Sequence, residues 1–167
     1  MADQQPGRWA LASDGIEDAR RLGLSLRDVV ADGAVTVVCS TERKAIETAE
    51  ALGVGNVHHD QRLREVDRPW YDVERSFEVA VRQYLTGVPM PGWESLDDAV
   101  ARFGSAISDL DDACIVVSHG TVMSAWLGQQ IPDLDAVSFW DELQMPDAWL
   151  VDLDIGSVQR IADHDDQ

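Results

Sequence analysis

The sequence predicts an α/β fold: a three-layer α/β/α sandwich around a mostly parallel sheet. Three observations predict it. Two short β-branched runs, Val35-Thr36-Val37-Val38-Cys39 and Cys114-Ile115-Val116-Val117, each lead straight into a segment of helical periodicity. The stretches between them repeat apolar residues at helical spacing. An antiparallel signature occurs once, at the C-terminal end, so alternating strands and helices dominate.

The elements follow in order. Ser13 and Asp14 suit a helix cap, with Glu17 at the capping-box position, and Ile16, Ala19, Leu22 and Leu26 then mark one face. Gly33 ends that segment. After the first strand, Ser40 or Thr41 caps a helix that runs to Leu52 and stops at Gly53. Asn56 to Asp60 reads as a second strand. Residues 62–70 read as a loop, broken by Pro69. Glu74 to Leu85 is helical, with Phe77, Val81, Tyr84 and Leu85 on one face. Residues 88–93 form a turn-rich connector. Ser95, with Asp98 three residues on, caps a helix whose buried stripe is Leu96, Ala99, Phe103, Ile107 and Leu110. A strand ending at His119 and a helix from Thr121 to about Gln129 come next. Residues 148–154 and 157–162 flank Ile155-Gly156 as a terminal hairpin. Nothing marks a boundary or a repeat, so residues 1–167 read as a single domain.

The composition is that of an ordinary globular protein, 45% hydrophobic and 26% charged. No apolar run reaches the length of a bilayer span. The first residues have no apolar core for a signal peptide, and Cys39 and Cys114 both sit in apolar runs, so free buried thiols and a cytoplasmic location are expected. The formal net charge of -18 repels nucleic acid and anionic membranes, so neither is expected as a partner. A phosphorylated ligand would need locally concentrated Arg and His.

Two strand-to-helix junctions carry the chemistry. At the first, Ser118-His119-Gly120-Thr121 puts a histidine where a buried strand opens onto a helix N-terminus, whose free amides favour anions. At the second, Arg43 falls in the first turn of the helix after Ser40. A cation there opposes the helix dipole. Either it pairs with Glu47 at i+4 on the surface, or it closes a phosphate site with the amides. Both junctions lie at the carboxyl ends of parallel strands, where open α/β sheets bind ligands.

These residues together resemble the histidine phosphatase superfamily, the phosphoglycerate-mutase-like proteins, over nearly the whole chain. Trp9-Ala-Leu-Ala-Ser-Asp-Gly15 with Ala19 and Leu22-Gly23 is similar to the family's L-T-x-x-G-x-x-Q-A-x-x-L-G. Ser40-Thr-Glu-Arg43-Lys-Ala45 with Thr48-Ala49 looks like S-x-x-x-R-A-x-x-T-A with one spacer fewer. Leu63-Arg-Glu65 looks like the L-x-E of the acid loop, Trp93-Glu94-Ser95 like G-E-S, and Ser118-His119-Gly120 like the second-histidine motif.

The resemblance implies phosphomonoester hydrolysis through a phosphohistidine, with no metal and no cofactor. It makes His119 the second histidine and Glu65 the proton donor, with Asp67 a weaker candidate. Arg43, Ser40 and Gly120 become phosphate-binding residues, and a small phosphorylated molecule the partner. The family opens with a central strand ending in Arg-His-Gly, whose histidine is phosphorylated. This sequence starts about where that motif should end. The expected consequences are a sheet lacking its first central strand, an N-terminally incomplete domain whose natural form has an upstream segment, and a chain inactive as given. An uncovered sheet edge also favours self-association. The competing expectation is a pseudoenzyme that binds phosphate or a metabolite without turnover. A serine hydrolase built on Ser118 or Ser40 lacks the Gly-x-Ser-x-Gly elbow, and His58-His59-Asp60 lacks a second cluster of metal ligands.

Overall fold

The computed structural model describes residues 9–30, 35–71, 73–110 and 113–161. The expected helix stop at Gly33 lies outside them.

Three parallel strands form the main sheet. β1 (Thr36–Cys39) is in the middle, with β2 (Asn56–His59) and β3 (Cys114–Val117) on its two sides. Val37 pairs with Val57 on one side and Ile115 on the other. Successive side chains of a strand point to opposite faces, and here both faces are covered. Val37 and Cys39 join α1 (Ser13–Val29) and α2 (Arg43–Leu52) in a core with Leu22, Leu26, Ala49 and Leu52. Val38 faces the other way. It meets a larger core built from α3 (Glu74–Leu85), α4 (Leu96–Ser108), α5 (Gly120–Gln130) and α6 (Ala136–Glu142), with Val81, Tyr84, Phe103, Val122 and Phe139. The predicted three layers are therefore present.

β4 (Trp149–Asp152) and β5 (Ser157–Arg160) form the terminal antiparallel hairpin. It is a sheet of its own, not an extension of the parallel one. β3 pairs with β1 alone among the described strands, and its residues are half-buried, whereas Val37, Val38 and Cys39 are buried.

Helix α3 spans the predicted residues, and Ser95 caps α4 by accepting from the Asp98 amide at 3.1 Å. Other caps differ from expectation. The N-cap of α1 is Ala12, which has no side-chain oxygen, and Ser13 and Asp14 fall inside the first turn. The N-cap of α2 is Glu42, because Ser40 still belongs to the sheet: its amide donates to the Val117 carbonyl at 2.9 Å. The strand before His119 likewise ends at Val117, and α5 begins at Gly120. Helix α6 had no counterpart in the sequence reading. Asp135 caps it, accepting from the Ser138 amide at 2.8 Å.

One glycine fixes how α1 meets α2. A Cβ at Gly23 would lie 2.0 Å from the Leu52 carbonyl oxygen, so the helices approach this closely only because Gly23 has no side chain. Both cysteines are free. Thr36 pairs with Cys114 and Cys39 with Val117. The two thiols are thus offset along adjacent strands by about 10 Å, beyond the reach of a disulfide. Among the described residues no helix is long and apolar enough to cross a membrane.

Candidate functional site

The carboxyl ends of β1 and β3 bring the two junctions side by side. Cys39 pairs with Val117, so Ser40 and His119 leave the sheet next to each other. His119 Nε2 and Ser40 Oγ share a hydrogen bond of 2.9 Å. Ser40 Oγ also accepts from the Glu42 amide at 3.2 Å. His119 is 5% exposed and Ser40 wholly buried. The bond orients the imidazole against a serine that is itself enclosed. Ser118 donates instead to the Leu63 carbonyl at 2.7 Å, which ties the acid loop to the end of β3.

Burial pushes the His119 pKa below its ordinary value. Glu65 and Glu42 oppose this by attraction, while Lys44 and Arg102 reinforce it by repulsion. The ring is therefore held neutral, with Glu42 Oε2 3.7 Å from Nε2.

Glu65 sits beside it. Glu65 Oε1 accepts from the Val122 amide at 3.0 Å and the Val66 amide at 2.9 Å, and Oε2 accepts from the Thr121 amide at 3.3 Å. The Glu65 amide donates to Glu42 Oε1 at 2.9 Å. Thus the first turn of α5, where Gly120 begins the helix, already holds a carboxyl group supplied by the protein. Gly120 is buried, and a Cβ there would lie 3.2 Å from both Leu143 Cδ1 and Met145 Cε and 3.5 Å from Trp140 Nε1.

The acid loop is clamped from behind. Arg102 donates from Nε and Nη2 to the two oxygens of Glu94 at 2.9 and 2.8 Å, and from Nη1 to the carbonyls of Arg62 and Arg64. Burial works to raise the Glu94 pKa, but the Arg102 bonds and charge outweigh it and hold the carboxyl below its usual range. Arg64 adds a third contact to Glu94 at 3.2 Å. Asp67 is on the exposed side of this loop, 3.4 Å from Arg64 Nη2.

Arg43 takes the surface arrangement of the two considered. Its Nε donates to Glu47 Oε1 at 2.7 Å, and its side chain is 60% exposed. The cation that acts on His119 from α2 is Lys44. The sequence reading passed over it, and a signal was available. With Lys44 read in the place of the motif's Arg, the stretch Ser40 to Ala49 fits S-x-x-x-R-A-x-x-T-A with every spacer present. His58 and His59 lie on β2 at the edge of the sheet, and both are exposed.

Solved structures share this fold at low identity. TTHB049 from Thermus thermophilus is 22% identical, with a TM-score of 0.66 over 94% of this chain and 91% of that one. The protein of open reading frame Rv3214 from Mycobacterium tuberculosis is 21% identical, with a TM-score of 0.63 over 95% and 89%. A mycobacterial glucosyl-3-phosphoglycerate phosphatase, solved with inorganic phosphate, is 24% identical, with a TM-score of 0.60 over 81% and 74%. No curated protein matches the sequence. The family model for branch 1 of the histidine phosphatase superfamily matches residues 4–162. With the paired junctions and the acid loop in place around His119, this chain belongs to the histidine phosphatase superfamily.

Proposed function

We propose that the group of residues at the carboxyl ends of β1 and β3 binds the phosphoryl group of a small phosphomonoester. The observation that carries this reading is the convergence of His119, Ser40, Glu65 and Lys44 from separate elements on one sheet edge. A neutral imidazole held by Ser40 contacts a phosphoryl oxygen. Lys44 supplies positive charge from the first turn of α2, in the role first considered for Arg43. Glu65, fixed at the start of α5 beside Gly120, gives its proton to the oxygen of the leaving alcohol. Positioning and charge neutralisation do most of the work in such transfers. The phosphatase with bound inorganic phosphate among its structural neighbours supports this class of ligand.

Hydrolysis through a phosphohistidine needs a nucleophilic histidine at the phosphorus. The sequence has four histidines. Among the described residues, His58 and His59 are exposed on the edge strand and His119 is bonded to Ser40, while His164 lies outside the described residues. The arrangement of the three described histidines supports a second reading, a domain that binds phosphate or a phosphorylated metabolite without turning it over.

Two measurements on the full chain separate these readings. Calorimetry should detect inorganic phosphate binding that is lost in His119→Ala. Incubation with an aryl phosphate should then reveal whether phenol is released and whether acid-labile phosphohistidine forms. Turnover with phosphohistidine supports the hydrolase. Binding without turnover supports the binding domain. Failure to bind phosphate removes both.

A further inference from the structure

The turn of the C-terminal hairpin is apolar and exposed. Turns favour small and polar residues, yet Leu153 is 49% exposed and Ile155 75% exposed, with Leu150 of β4 at 51%. Leu153 also borders a groove of about 450 Å3 between α4 and α5. Val100, Gly104 and Ile107 of α4 line one side, followed by Leu110, and Trp126 and Gln130 of α5 line the other. A Cβ at Gly104 would crowd Trp126 Nε1 at 3.0 Å, so the groove depends on a bare backbone there. It lies at the far end of the sheet from His119. Leu110 precedes β3, and Trp126 is about 9 Å along α5 from Gly120.

No charged residue among the described ones lines the groove, but its surroundings are acidic. Asp152 and Asp154 flank Leu153 in the turn. Asp97 stands one helical turn before Ala101, which also lines the groove. A Cβ at Gly156 would lie 3.1 Å from Pro132 Cδ, so the hairpin turn packs on the residue before Asp133. These four aspartates are exposed, and none makes an ion pair with a described residue. The nearby cation of this edge, Arg62, is already paired with Asp109 at 2.7 Å.

We propose that this groove docks a cationic amphipathic helix of a partner protein. The apolar side chains of that helix enter the groove, and its Lys or Arg residues meet Asp97, Asp133, Asp152 and Asp154. Charge decides the occupant. A second copy of this chain would bring the same carboxylates to the contact, whereas a cationic segment is drawn in by a net charge of -18. Size decides the mode. The groove takes a few side chains and not a whole helix, whose diameter is about 10–12 Å. Anchors at i, i+3 and i+4 suit it.

The probe is a leucine and lysine peptide of about four helical turns with its leucines on one face. The controls are a scrambled peptide of the same composition and a version with glutamate in place of lysine. Binding to the full chain is read by fluorescence anisotropy. The patterned peptide should bind about ten-fold more tightly than the scrambled one, and the glutamate version should not bind. Ala101→Lys puts a like charge at an exposed position of the groove and should weaken the patterned peptide about ten-fold, while Ala101→Glu should preserve binding. Leu153→Ser, in the exposed turn, should weaken it as well and serves the same comparison should an Ala101 variant unfold. Equal binding of the patterned and scrambled peptides means diffuse attraction and overturns the groove. Absence of binding overturns it too, as does indifference to Ala101→Lys and Leu153→Ser. Sedimentation of the chain alone should show no association through this face. A dimer that Ile155→Ser dissolves would assign the surface to a second copy and overturn the proposal.

Discussion

Glu65 Oε1 accepts the Val122 amide at 3.0 Å, so a loop residue closes the first turn of a helix 57 positions further along the chain. With the Thr121 amide on Oε2 at 3.3 Å, it docks the acid loop onto α5 and sets the Glu65 carboxyl near His119. Replacing Glu65 with Ala should lower unfolding stability by about 1–2 kcal/mol in urea titrations, the scale of losing a helix cap. Glu65→Gln, which keeps an acceptor oxygen, should lose less. Equal stability in all three proteins would show that other groups serve these amides.

His119 makes stability depend on pH. In the unfolded chain its imidazole takes up a proton as pH falls through about 6.5. In the fold, burial lowers its pKa, so the unfolded state binds more protons in this range. The contribution of His119 is complete above that pH and declines below it. The thermal midpoint should therefore drop between pH 7.5 and 5.5, and His119→Gln should show a smaller drop. Parallel curves for the two proteins would contradict a buried neutral ring.

The Arg102–Glu94 pair has side chains only 14% and 11% exposed. Removing one partner of a buried pair strands the other charge, so Arg102→Met should cost about 3–5 kcal/mol in chemical denaturation. Adding Glu94→Leu should restore part of that loss. A double variant less stable than the single one would mean that the carbonyl bonds from Arg102 to residues 62 and 64 dominate.

Adjacent cations on α2 should behave differently. Lys44→Ala should weaken inorganic phosphate about ten-fold, the loss of one charge-assisted contact. Arg43→Ala, whose partner is Glu47, should change it by less than about two-fold, as for an exposed pair. Reversed effects, read by calorimetry, would return the phosphate role to Arg43.

Burial pushes the Cys39 thiol up to about 11 and raises Cys114 as well, but Cys39 is fully enclosed and Cys114 half-buried. Because the thiolate is the reactive form, an aromatic disulfide reagent should modify Cys114 first and Cys39 only on unfolding. Equal rates would contradict the packing of β1 against α1 and α2.

Much of the fold was legible because local signals and tertiary packing agree. Helix α3 and the Ser95 cap carry their own periodicity and hydrogen-bond chemistry, and the Ile155-Gly156 hairpin closes on itself. The misplaced cap of α2 has a tertiary cause. Ser40 is a good capping residue in isolation, but it is drawn into the sheet by Val117 and bonded by His119, so the helix starts later. Helix α6 is short, and its register is set by packing Phe139 into the core.

By itself, the sequence determined the order of strands and helices, the two junctions and the resemblance that links them, since these depend on spacing along the chain. The motif spacing read with Lys44 in the arginine's place pointed to Lys44, but neighbouring residues on a helix point about 100° apart, and the rotation of α2 that leaves Arg43 on the surface with Glu47 is set only by what it packs against. Nor could spacing reveal that Glu65 occupies the start of α5 or that Arg68 lies over Phe77 with its Nε unbonded. Those contacts join residues from different elements, and they exist only once both faces of the sheet are covered.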